Sequence, residues 1–231
     1  MNASNIAIVG IGRMGKGIAL AFAYAGHPVV LIDSEDRSES EFKDLKKQSE
    51  NELHSELQFL HDIDVITVEQ ISSVGQRIKI INKTSASEEL RQTDFVFEAV
   101  LEVMKIKQAV YSWLNEHTNE NTIIASTTST MSANDLAEFV RIKKNFINAH
   151  WLNPAHLMPL VEVSPGDNTS QMTVDVMTSL LEQIGKVPVV CKASPGFIIS
   201  RIQAVALNEA TRVVEEGVAS AEDVDKAIKA G

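Results

Sequence analysis

Three glycines at fixed spacing, in Gly10-Ile11-Gly12-Arg13-Met14-Gly15, follow directly on the apolar run Ile6–Val9. No other feature of the chain restricts its fold as tightly. A buried strand that ends in such a turn and opens a helix is the first unit of a doubly wound, open α/β sheet. Each glycine has its own reason: Gly10 permits the tight turn, Gly12 lets backbone approach a pyrophosphate, and Gly15 lets helix pack closely on strand. The helix that begins around Met14 offers unpaired N–H groups and a partial positive charge to phosphate oxygens.

The second apolar run, Pro28–Ile32, ends at Asp33, about 20 residues beyond the last glycine. A carboxylate there accepts hydrogen bonds from adenosine ribose hydroxyls and repels a 2′-phosphate, so the expected cofactor is NAD rather than NADP. Arg37, a few residues on, is the one nearby group that weakens this preference. A glycine-rich turn with no nucleotide is the plain structural alternative, and Asp33 argues against it.

Strand-like runs then alternate with helical patterns, which predicts a parallel sheet with crossover helices. Runs at 77–81, 94–100, 122–126, 145–150 and 158–163 read as strands, and 103–117 and 169–184 as helices. Residues 34–75 interrupt the alternation with a charged segment carrying Phe42, Leu45, Leu53, Leu57 and Leu60, read as an inserted helical hairpin. Ser194-Pro195-Gly196 marks a break. The predicted organisation is a Rossmann-type domain over 1–194 and the start of an all-α domain over 195–231, incomplete at its end.

Composition narrows the partners. A net charge of −10 makes a nucleic-acid partner unlike this chain, since phosphate backbones need a basic face. Cys191 is the only cysteine, which excludes an intrachain disulfide and a cysteine-rich metal site and fits a reducing compartment. The N-terminus lacks the pattern of a signal peptide, and no apolar stretch reaches the ~20 residues of a membrane helix. The expectation is a cytosolic protein with a small-molecule substrate and no metal.

Polar residues interrupt buried-looking strand ends at three places: Ser126-Thr127-Thr128-Ser129-Thr130, His150-Trp151-Leu152-Asn153-Pro154, and Glu162 within Met158–Val163. A carboxylate inside an apolar run is costly unless paired, and His150 is its nearest candidate partner. An imidazole held by a carboxylate could take the proton of a substrate hydroxyl while hydride leaves the same carbon. A structural histidine and a surface glutamate remain the alternative on spacing alone, and His156 is a rival base.

Taken together, Asn5–Gly15, Asp94–Val100, Ala125–Ser129, Ala149–Pro154, Pro159–Val163 and Ser194–Phe197 resemble the 3-hydroxyacyl-CoA dehydrogenase family over nearly the whole chain. The resemblance implies His150 as general base, Glu162 as its orienting partner and Ser129 as donor to the substrate's 3-oxygen. It implies cofactor contacts at Gly10, Gly12, Met14, Gly15, Asp33, Glu98 and Lys107, and substrate contacts at Ser129, Asn153 and Ser200. It places the charged insertion near the coenzyme A tail and implies a homodimer where the helical domain is complete. Two positions depart from the family: Thr127 and Ser200 stand where members commonly carry asparagine. Relatives acting on carnitine or sugar acids share the His–Asn–Pro and Leu–Val–Glu motifs, so those activities, or NAD binding without turnover, are the alternatives.

Overall fold

The computed structural model describes residues 3–231. Strand β1 (Ile6–Val9) is buried along its full length, as a central strand covered on both faces must be. Its side chains alternate between two cores. Ile6 and Ile8 join Ile18, Phe22, Leu31 and Trp151 on one face, while Ala7 and Val9 join Ile32, Tyr111, Leu114 and Phe146 on the other. Helix α1 (Arg13–Tyr24) follows and ends at Gly26, which adopts φ +97°. Strand β2 (Val29–Asp33) then pairs parallel with β1.

The insertion is a helical pair, as its pattern predicts. Helix α2 (Glu39–Asp62) opens with a reciprocal cap: Glu41 N–H donates to Ser38 Oγ, and Ser38 N–H donates to the Glu41 carboxylate. Its buried stripe is Ser49, Leu53, Leu57 and Leu60, spaced to lie on one helical face. Helix α3 (Val68–Gly75) repeats the cap with Thr67 and Gln70 and returns the chain to the sheet.

The rest completes the alternation. In chain order it comprises β3 (Ile78–Asn82), α4 (Ser87–Arg91), β4 (Phe95–Glu98), α5 (Met104–His117), β5 (Ile123–Ser126), α6 (Ala133–Ala137), β6 (Phe146–Trp151), β7 (Leu160–Pro165), α7 (Gln171–Gln183), β8 (Val187–Val190), α8 (Ile199–Glu215) and α9 (Ala221–Ala230). The sheet order is β3-β2-β1-β4-β5-β6-β7-β8. The expected parallel sheet holds through the first six strands. It fails at β7, which pairs antiparallel with β6 because residues 152–159 form a direct return with no crossover helix.

Strand order reverses between β1 and β4, and the carboxyl ends of strands at such a reversal are where ligands bind in open α/β sheets. The glycine turn lies there. The return from β6 to β7 also places His150, late in β6, beside Glu162, early in β7, at that same edge.

The sequence pattern after the Ser194–Gly196 break predicts a helix over Phe197–Glu216, and helix α8 begins two residues later, at Ile199. Helices α8 and α9 contain no buried residue, and α9 opens with Ser220 Oγ accepting from Asp223 N–H. No helix among the described residues is long and apolar enough to cross a membrane.

Candidate active site

The glycine turn fits a dinucleotide for reasons internal to this chain. Gly10 sits at φ +114°, and a Cβ there would lie 2.5 Å from the carbonyl oxygen of Ala99 on the neighbouring β4 connection. A Cβ on Gly15 would lie 2.0 Å from the Gly10 carbonyl oxygen, so α1 can start against the turn only without a side chain. Gly12 differs, because a Cβ there would meet nothing within 4 Å. The protein leaves that space open where a phosphate would approach. Gly12 is the N-cap of α1, with no side-chain cap and no acidic residue in the first turn, which includes Met14. The first-turn N–H groups therefore face an anion site without competition.

At the end of β2, Asp33 is buried and accepts a hydrogen bond from Arg37 Nε at 2.9 Å. The same guanidinium reaches Glu35 at 2.7 Å. Arg37 is thus neutralised by two carboxylates rather than presented as a free cation for a 2′-phosphate.

Glu98 and Lys107, expected on the cofactor side, are turned inward. Lys107 Nζ donates to both carboxylate oxygens of Glu98, at 2.7 and 2.9 Å. Tyr111 Oη and Ser126 Oγ complete the cage at 2.6 and 2.7 Å. Burial and the Glu98 charge hold the Tyr111 phenol well above its usual range, so it stays a donor. The cluster ties the ends of β4 and β5 to α5.

Glu102, which the sequence reading passes over, meets the open side of that cluster. Lys107 Nζ stands 3.3 Å from its second oxygen. Its first oxygen accepts from the Thr128 hydroxyl, the backbone N–H of Ser129 and Thr130 at 3.0 and 3.1 Å, and the Thr130 hydroxyl at 3.0 Å. Burial alone would raise this carboxyl. Hydrogen bonds from Thr128 and Thr130 and the charge of Lys107 outweigh it and hold Glu102 below the usual carboxylate range. Asn148, fully buried on β6, donates to the Met131 carbonyl at 3.0 Å and anchors the far end of the same loop. Ser129 is exposed on this loop, its hydroxyl without a protein partner among the described residues.

His150 and Glu162 stand directly opposite each other in the β6–β7 register. His150 Nδ1 lies 2.8 Å from Glu162 Oε2, with the carboxylate fully buried and the imidazole nearly so. A buried carboxylate needs more than one partner. Glu162 Oε1 finds the others in the backbone N–H of Ile198 and Ile199, at 2.8 and 2.9 Å. The start of α8 is therefore pinned on the His–Glu pair. Phe197 stacks on the imidazole, centroid to centroid 5.0 Å at 20°. With Nδ1 engaged, Nε2 has no protein partner and is not sealed from solvent. The arrangement can accept a proton at Nε2 and stabilise the imidazolium through Glu162.

The other expected substrate residues fall around this pair. Ser200 is half-buried in the first turn of α8, next to the two N–H groups on Glu162. Asn153 lies at the exposed start of the 152–159 return, joined to Pro154 by a cis peptide. The rival base His156 has no hydrogen bond: its Nε2 stands 3.5 Å from Glu56, and burial lowers its pKa. Lys186 Nζ closes the return from below, donating to the carbonyls of Ala155, His156 and Met158 at 2.8, 3.2 and 2.9 Å. A cavity of about 840 Å³ opens between α1, α2 and this return, with Arg13, Lys16 and Lys47 among its walls. No group of three or more metal-ligating side chains occurs among the described residues.

Family profiles cover the chain almost from end to end. The profile described as 3-hydroxyacyl-CoA dehydrogenase, NAD binding domain, matches residues 5–194, and that of the family's C-terminal domain matches 196–231. Pig mitochondrial hydroxyacyl-coenzyme A dehydrogenase is 35% identical over 98% of this chain and 71% of its own length. The 3-hydroxybutyryl-CoA dehydrogenase of Clostridioides difficile is 34% identical over 98% of this chain and 77% of its own. The crystal structure of (S)-3-hydroxybutyryl-CoA dehydrogenase from Ralstonia eutropha superposes with a TM-score of 0.86 at 35% identity, covering 99% of this chain and 77% of that one. With the open glycine turn at one end of the site and the profile matches running through the other, the chain belongs to the 3-hydroxyacyl-CoA dehydrogenase family of NAD-dependent oxidoreductases that act on a CH–OH group.

Proposed function

We propose that this protein interconverts a short-chain 3-hydroxyacyl-CoA and its 3-oxoacyl-CoA, with His150 as the acid–base group. The observation that carries the reading is the Glu162–His150 hydrogen bond, which leaves Nε2 as the reactive nitrogen. NAD would be held by the Gly10–Gly15 turn with Asp33 at its ribose, and when bound would supply the hydride acceptor. His150 Nε2 takes the proton of the 3-hydroxyl as the adjacent C–H bond gives up hydride and the C=O bond forms. Glu162, fixed by two backbone N–H groups, stabilises the resulting imidazolium. In the reverse direction His150 returns the proton to the alkoxide oxygen. Ser129 and Ser200 are assigned to the substrate oxygen, and Asn153 to the substrate side of the same edge.

The cavity beside α2 supports a coenzyme A thioester over a free hydroxy acid. A small acid such as carnitine leaves a volume of about 840 Å³ unused. A pantetheine arm fits its apolar walls, Leu20, Leu53 and Phe59, and the nucleotide phosphates suit Arg13 and Lys47, Lys16 being paired with Glu52. We assign the protein to the cytosol and its active form to a homodimer built through the helical segment after residue 195. Turnover compared between acetoacetyl-CoA and free 3-oxo acids tests the substrate class. A preference for the thioester of at least about 100-fold is expected, since the tail's binding energy is realised only in the thioester. Equal turnover of the free acid would contradict it.

A further inference from the structure

Phe197 holds a backbone conformation that its own side chain opposes. Its φ is +47°, directly after Gly196 at +76°. A second glycine would make the turn with less strain, so a phenyl ring kept in the left-handed region points to a use for the ring. That ring is 4% exposed and lies almost parallel to the His150 imidazole. The next two backbone N–H groups close on the Glu162 carboxylate. One short turn thus touches both members of the pair, the imidazole by its face and the carboxylate by its oxygen.

A hydrogen bond at Nδ1 fixes one atom of an imidazole but leaves the ring free to swing about that bond. A flat apolar surface against its face removes this freedom. We propose that Phe197 is a positioning residue: its ring fixes the plane of His150 and so aims Nε2, and it does so only with the start of α8 docked on Glu162. The proposal rests on the proton-transfer role of His150 given above.

The test uses the whole chain and compares Phe197→Leu, Phe197→Gly and Phe197→Tyr, each first checked for NADH binding as a sign of folding. The leucine and glycine variants should lose about 10- to 100-fold in kcat, the scale of a small misplacement of a reacting group, with KM for acetoacetyl-CoA and NADH affinity changed less than about 3-fold. Phe197→Tyr keeps a ring and should stay within about 3-fold of the parent. In a His150→Gln background, Phe197→Leu should have no further effect, because the two residues act as a unit. By proton magnetic resonance, the His150 Cε1–H signal should move in Phe197→Leu as the neighbouring ring current is lost.

A merely structural phenyl ring predicts something different. Phe197→Gly would then relieve backbone strain and change thermal stability while kcat stayed at the parent value, and that result overturns the proposal. If His150→Gln is inactive and Phe197→Leu turns over normally, the positioning role fails alone. If His150→Gln keeps full turnover, the base assignment fails and takes this proposal with it.

Discussion

Lys107 and Glu98 meet at 2.7 Å in the interior, on α5 and at the end of β4, with essentially no exposure of either side chain. Charges so enclosed survive only through their partners, and here Tyr111, Ser126 and the backbone N–H of Val100 supply the remaining hydrogen bonds to Glu98. The cluster holds the carboxyl ends of β4 and β5 against α5.

Removing one partner leaves the other charge buried. Lys107→Met should cost about 3 kcal/mol of stability, the low end for a broken buried pair, because three neutral donors still face Glu98. Urea unfolding measures it. A loss below about 1 kcal/mol would mean that the cage is no firmer than a surface ion pair.

At the end of β2, Asp33→Ala removes the carboxylate assigned above to the adenosine ribose. NADH should bind about 10-fold or more weaker, the scale of a hydrogen bond to a charged group, while NADPH changes far less. Titration of both nucleotides against protein fluorescence reads this directly. Equal weakening of the two would remove Asp33 from the ribose contact.

Glu102 gives the loop at residues 128–130 a dependence on acid. Its folded-state pKa is depressed by hydrogen bonds from Thr128 and Thr130 and by Lys107, against the opposing effect of burial. A depressed carboxylate contributes stability that is fully present above its unfolded value and is lost as pH falls through the folded one. The stability gap between parent and Glu102→Gln should therefore be widest near neutrality and close in acid. Denaturant unfolding across that range checks the sign, and a gap that widens in acid would contradict it.

What the sequence revealed, and what it hid, follows from how far apart the interacting residues lie. The glycine turn is local, and Gly10 and Gly15 meet close contacts where the motif needs glycine. Glu162 shows itself by interrupting an apolar strand, and the short return from His150 brings the two into register. Glu102 carries no such mark, because the hydroxyls and N–H groups that bind it come from a loop distant in sequence. Glu98 sits in the expected motif, but strand alternation turns it beneath α5, where Lys107 and Tyr111 share one helical face. Phe197 reads as the first residue of a helix. Only the structure shows it in a left-handed turn against His150.

The central claim is that His150 Nε2 moves the proton while hydride transfers. NADH oxidation with acetoacetyl-CoA, followed at the nicotinamide absorbance band in the parent and in His150→Gln, tests it most directly. Glutamine still donates a hydrogen bond to Glu162 but cannot exchange the proton, so turnover should fall by about 100- to 10,000-fold with NADH affinity nearly unchanged. Turnover in His150→Gln equal to that of the parent would remove this histidine from the mechanism.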